Sequence, residues 1–248
     1  MPDFAEDGPQ MAPPKSTRSA RAARRSIHKL GQDPRTRRPR RTSRAITTLA
    51  AATIAVTVFL TWLLTHHAAS SASSVGPEGV AIGAGSPLAS PDTMARGQPV
   101  DGISCLNGEQ VAYHIHIHLA VFVNGHPRQI PAGVGIVPPR QLQTTPVGAF
   151  IKNGACFYWL HTHAADGIIH VESPTVKVYT LGNFFDIWQQ QLGRDRVGPA
   201  RAPVTVFLNG HRDNVDPRSI PLTAHQVIEL DVGTPLIEPR AVAFPPGL

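Results

Sequence analysis

From His114 to Val123 the chain alternates almost without interruption. Ile115, Ile117, Leu119, Val121 and Val123 take every second place, and His114, His116 and His118 stand between the first of them. A period of two is the period of a strand, whose successive side chains point to opposite faces. One face of this strand is therefore continuous hydrocarbon, and the other carries three imidazoles. Asn124-Gly125 follows at once, the pair favoured in a two-residue hairpin turn, so the chain is expected to fold back there.

The same device returns later. Val121-Phe-Val-Asn-Gly-His126 is echoed by Val206-Phe-Leu-Asn-Gly-His211, and Pro127-Arg-Gln-Ile-Pro131 by Pro217-Arg-Ser-Ile-Pro221. Matching hairpins imply a mainly β fold built as a sandwich or barrel of two similar β units. One helix is expected beside them. Thr180 can cap it, Leu181, Phe184, Phe185, Trp188 and Leu192 fall on one face, and Gly193 can end it. An aromatic stripe at that spacing belongs to the core.

Aligned on Asn-Gly, the places of His114, His116 and His118 are held in the second copy by Pro199, Arg201 and Pro203. The hairpin does not itself require imidazoles, so the first copy carries them for another reason. A second run, His161-Thr-His163 with His170 close behind, has the same strand spacing. If Ala164-Ala165-Asp166-Gly167 is a four-residue hairpin loop, His163 lies opposite Ile168 and His161 opposite His170; a two-residue loop at Asp166-Gly167 also leaves all three on one side.

Isolated histidines such as His126, His211 and His225 read as half-buried residues with a hydrogen-bond partner. Six imidazoles packed in two same-face runs gain little burial and leave many donors and acceptors to satisfy, which points to a metal. Alternate residues on a strand are roughly 7 Å apart and the outer members of His-x-His-x-His about 13 Å. One ion therefore cannot take all of His114, His116 and His118. A neighbouring pair is expected to join His161 and His163 or His170, and the remainder could form a second site. Imidazole suits zinc, copper, nickel or iron rather than calcium or magnesium. The absence of methionine after Val100 argues against a blue-copper centre, which leaves zinc or a histidine-ligated copper. Asp166 and Glu172 could orient the ligands, ligate, or act as a base.

Both cysteines, Cys105 and Cys156, lie in this region. Cys156 shares strand parity with Tyr158 and Leu160 and opposes His161 and His163. A disulfide is the preferred reading, with a Cys156 thiolate ligand as the alternative. A bridge closing about 50 residues would contribute about 4 kcal/mol on the chain-entropy account.

The segments His114-Ile-His-Ile-His-Leu119, Cys156-Phe-Tyr-Trp-Leu-His-Thr-His163, Asp166-Gly-Ile-Ile-His-Val-Glu-Ser-Pro174 and Leu181-Gly-Asn-Phe-Phe-Asp-Ile-Trp188 resemble a family of uncharacterised extracytoplasmic bacterial and archaeal proteins. The resemblance spans nearly all of residues 100–248 and implies the domain limits and the histidine motif, not an activity. Such sequences often have Asp after the second His-x-His, where this chain has Ala164. Tyr158-Trp-Leu-His-Thr-His163 with Gly167-Ile-Ile is also similar to a segment of multicopper oxidase cupredoxin domains, although no His-Cys-His accompanies it. The strand arrangement of the histidines is similar, in geometry alone, to the zinc site of alpha carbonic anhydrases.

Charge divides the chain. Twelve of its 23 Lys and Arg precede Ala45 against four acids there, a tail of +8, while the remaining 11 bases and 13 acids give −2. Directly after Arg44, residues 46–64 carry no charge, about the length of a membrane-crossing helix, and positive charge beside it favours a cytoplasmic N-terminus. An uncleaved signal anchor is preferred over a cleaved signal peptide because residues 1–45 are long for a leader. This placement accounts for the basic tail without nucleic acid. Residues 65–99, rich in Ala, Ser, Gly and Pro, read as a flexible linker, and 100–248 as the extracytoplasmic β domain.

The leading expectation is a membrane-anchored extracytoplasmic protein that binds zinc or copper for sensing, buffering or delivery. A metal-dependent enzyme, with three histidines and an activated water or as a copper oxidase, is the first alternative. A structural ectodomain with a pH-sensitive histidine cluster is the second.

Overall fold

A computed structural model of the protein describes residues 74–248. The basic tail, the uncharged segment 46–64 and the linker up to residue 73, with His66 and His67, lie outside the described residues. No helix among the described residues is long and apolar enough to cross a membrane.

The described chain is mainly β, with several sheets and one α-helix. In order it forms β1 (Cys105–Leu106), β2 (Tyr113–Val123), β3 (His126–Arg128), β4 (Ile136–Val137), β5 (Gln141–Thr145), β6 (Gly148–Asn153), β7 (Cys156–Tyr158), β8 (Leu160–His161) and β9 (Ile168–Ser173). Helix α1 (Leu181–Trp188) follows, then β10 (Leu192–Gly193), β11 (Arg196–Val197), β12 (Ala200–Arg201), β13 (Val204–Leu208), β14 (His211–Asp213) and β15 (Val227–Val232).

Strand β2 organises the main sheet, whose order is β14-β13-β15-β2-β9-β8. One edge of β2 pairs in parallel with β15 through residues 118–123. The other pairs antiparallel with β9 through 113–118 and with β3 through 121–123, so β9 and β3 lie end to end. The apolar face of β2 delivers Ile117, Leu119 and Val121 to a core completed by Ile169 and Val171 of β9, Ile228, Leu230 and Val232 of β15, and Leu181, Phe184, Phe185 and Trp188 of α1. Its histidine face is thereby turned away from that core.

Both Asn-Gly hairpins form as expected, with Asn124 and Asn209 at φ 51° and 50° and Gly125 and Gly210 at 75° and 83°. They are not two packed units, which corrects the expected pairing of repeats. Both lie in one sheet, on either side of β15, and each turn ties down an opposite end of that strand. The Asn124 amide donates to the Val232 carbonyl and the Asn209 amide to the Val227 carbonyl, both at 2.8 Å. The echoed Ile130 and Ile220 are both buried in the shared core.

Two further expectations are corrected. Helix α1 has the predicted Thr180 cap, in a capping box with Asn183, but stops at Trp188 instead of running to Leu192. Gln189 adopts the left-handed conformation at φ 56° and turns the chain, and Leu192 is buried from a short strand instead. The stretch read as linker is packed against the domain from residue 74 onward. Val80, Leu88, Met94 and Ala95 are buried, the Trp188 indole donates to the Ser90 carbonyl at 2.9 Å, and the Ala95 amide donates to the Ile187 carbonyl. A composition poor in large apolar residues is compatible with order where each of the few finds a socket.

Cys105 and Cys156 form a disulfide with their Cα atoms 5.5 Å apart, joining β1 to β7. Cys156 is thus no thiolate ligand.

Candidate metal centre

Strand register builds the site. In the ladder between β2 and β9, His116 stands opposite His170 and His114 opposite Glu172. In the ladder between β8 and β9, His161 stands opposite His170. Directly opposed residues share a face, so His116, His170 and His161 make one row across three adjacent strands, on the side of the sheet away from the core. This register is the one a four-residue loop at Ala164 to Gly167 requires.

His163 lies just past the end of β8 and is held by the β5–β6 hairpin. The Ile151 amide donates to the His163 carbonyl at 2.9 Å, His163 Nδ1 lies 2.5 Å from the Ile151 carbonyl oxygen, and the Phe150 ring stacks on the imidazole at 4.7 Å between centroids. His161 Nδ1 is 2.9 Å from the Tyr158 carbonyl oxygen. A carbonyl only accepts, so both rings carry their proton on Nδ1. In the neutral rings the two Nε2 atoms are then acceptors, and they face each other across 3.1 Å in a buried site. Neither neutral ring can donate to the other. Two converging acceptors are repulsive unless a metal ion, or an added proton on one ring, lies between them.

Carboxylates surround the remaining ring. His170 has Glu172 Oε1 3.2 Å from Nδ1 and Glu78 Oε1 2.5 Å from Nε2. Burial opposes charge on this ring, but hydrogen bonds to the two carboxylates outweigh it and raise its pKa to about 9. The neighbouring rings are pushed the other way. Burial first, then positive charge at His170 and His114, presses His116 down to about 3. Burial and the charges of His163 and His170 hold His161 well below its ordinary value. Neutral imidazoles are the ligating form, so an ion on His170 would take the place of one of the ring protons that face Glu78 and Glu172. Asp166 is raised to about 7, by burial and then by the adjacent Glu78 charge.

Two groups of donors could each hold an ion. His161, His163, His170 and Glu172 are all buried, and their ligand atoms lie within 4.8 Å of one another. His114, His116 and His170 form the second group within the same limit, and the His114 side chain is 37% exposed. Of the six histidines expected to ligate, His118 belongs to neither group. It sits under the Asp166-Gly167 turn, where a Cβ on Gly167 would fall 3.0 Å from its Nε2, and burial lowers its pKa to about 4. Glu172 is among the donors themselves. Asp166 contributes an oxygen to the Ile168 amide at 3.2 Å and lies behind Glu78. His126 and His211 are exposed, and His225 stacks on Phe244.

Sequence reasoning missed two carboxylates. Glu78, in the stretch read as linker, buries its side chain against His170, and Glu109 Oε1 lies 3.3 Å from His163 Nε2. The only hint of the first is that Glu78 and Asp92 are the sole acids between residues 65 and 99. The chain matches no protein-family model, no curated protein and no solved structure.

Proposed function

We propose that this protein binds a transition-metal ion, zinc or a histidine-ligated copper, through His161, His163, His170 and Glu172, and that it holds the ion for sensing, buffering or delivery. The observation that carries the reading is the pair of converging Nε2 atoms 3.1 Å apart, each ring's Nδ1 already engaged by a carbonyl. In a tetrahedral site with bonds of about 2.0–2.1 Å, two nitrogens stand about 3.3 Å apart. Three imidazoles and a carboxylate suit both metals. A buried set of four protein donors favours retention over catalysis, which needs a position left open for water or substrate.

The setting belongs to the same proposal. Residues 46–64, uncharged and preceded by a tail of +8, would anchor the chain with its N-terminus in the cytoplasm and its β domain outside. The disulfide suits an oxidising compartment. An anchored domain is placed to take up or hand over an ion close to the membrane.

Elemental analysis of the full chain, metal-stripped and then dialysed against limiting zinc or Cu(II), tests the reading. One tightly held ion per chain, lost in His163→Ala, is the expected result. A folded protein that retains neither metal would overturn it.

A further inference from the structure

The two donor groups are not independent. They share His170, and Glu172 also reaches both: its Oε1 lies 3.0 Å from His114 Nε2 and its Oε2 3.9 Å from His161 Nε2. Their exposure is unequal. His114 is partly open to solvent, whereas His161, His163, His170 and Glu172 are all buried. Ring centroids form a continuous path inward, 4.5 Å from His114 to His116, 4.5 Å from His116 to His170 and 4.7 Å from His170 to His163. Two ions held at once would take both ring nitrogens of His170 and deprotonate the ring between two positive charges, so the shared His170 makes the two groups successive stations more readily than simultaneous ones.

We propose that His114 and His116, with His170, form an entry station that captures a divalent ion from solution and passes it to the buried set. This rests on the metal-binding reading above and adds the route by which the closed site is filled and emptied. The transfer is a ligand exchange with no redox step. The ion keeps its bond to His170 while His114 and His116 leave and His161, His163 and Glu172 replace them, so it is never released into the interior without donors. A closed four-donor site reached only by unfolding would exchange slowly. A ladder of imidazoles one step apart gives it a faster path without exposing it.

The test uses the full chain with Co(II), followed by stopped-flow absorption during loading and during removal by excess chelator. His114→Ala, on the partly exposed ring, is expected to slow loading and release together by about 10-fold or more, a change of the size that supporting groups around a metal commonly produce. His161→Ala is expected to lose the slow, tight phase and keep a fast, weak one. Two ions bound at once by the unaltered chain, unaltered rates in His114→Ala, or a His114→Ala effect confined to release would each overturn the entry station while leaving the metal-binding reading intact. A chain that binds no Co(II), zinc or copper would overturn both. Melting curves of His114→Ala and His161→Ala check folding, and His116→Ala supplies a second variant on the entry station.

Discussion

Gly135 lies directly against His161. A Cβ built on Gly135 would fall 2.2 Å from the Leu160 carbonyl oxygen and 2.8 Å from the His161 Cβ, with the backbone at φ 76°. The left-handed conformation alone costs an L residue roughly 1–2 kcal/mol, and the overlap is with backbone that cannot step aside. Gly135→Ala should therefore displace β8 and His161 with it. The expected outcome is a melting temperature lower by at least about 5 °C, together with weakened metal retention. A variant that melts and binds like the parent would show that the β8 segment has more freedom than this packing allows.

The sequence makes His118 the equal of His114 and His116, and the structure separates it. His118→Ala should keep one ion per chain, while His161→Ala should weaken retention by more than the roughly 10–100-fold typical of losing an outer-shell partner. Competition titration against a chelator of known affinity measures both. Equal losses in the two variants would mean that the ion sits elsewhere along β2.

The disulfide holds β1 to β7, and β7 ends at Tyr158, whose carbonyl fixes the His161 tautomer. Cys105 and Cys156 contribute no donor to either group. Replacing both by Ala should cost about 4 kcal/mol on the chain-entropy account, or on the order of 10 °C in melting temperature. Metal stoichiometry measured well below the melting point should persist. Loss of the ion at temperatures where far-UV circular dichroism is unchanged would instead tie the bridge to the site.

What the sequence made legible was local. Alternation fixed the two faces of β2 and Asn-Gly fixed both hairpins, while of the two loops the sequence allowed after His163 the four-residue one, Ala164 to Gly167, gives the register that puts His161 opposite His170. Each of these follows from spacing within about ten residues or from turn chemistry. Glu78 meets His170 across a separation of 92 residues, and no periodicity in the chain encodes such a contact. The end of α1 was misread because Leu192 continues the apolar stripe. The left-handed turn at Gln189 takes the chain off the helix first, and a different element buries that leucine. Segment 74–99 was misread because composition reports how much apolar surface a stretch carries, not whether its few large residues find sockets.

On the far half of the histidine face, β15 carries Glu229 and Asp231, both buried, opposite Ala120 and Phe122 of β2. Burial, then the Asp231 charge, raises Glu229 from its ordinary 4.5 to about 7 against a smaller pull from Arg240. Between those two values the folded chain holds a proton that the unfolded chain has released, so this group's contribution to stability falls as pH rises from about 4.5 to about 7. Above that window the full penalty of a buried carboxylate is present; below it none is. Glu229→Gln, neutral at every pH and of similar shape, should melt higher than the parent at pH 8, with the advantage shrinking through pH 6 and gone near pH 4.5. Taking the difference between the two proteins cancels the titration of the histidines, which both share. Paired melting curves across that range measure it, and a Glu229→Gln variant less stable than the parent at pH 8 would show that the carboxylate is held by a favourable partner instead.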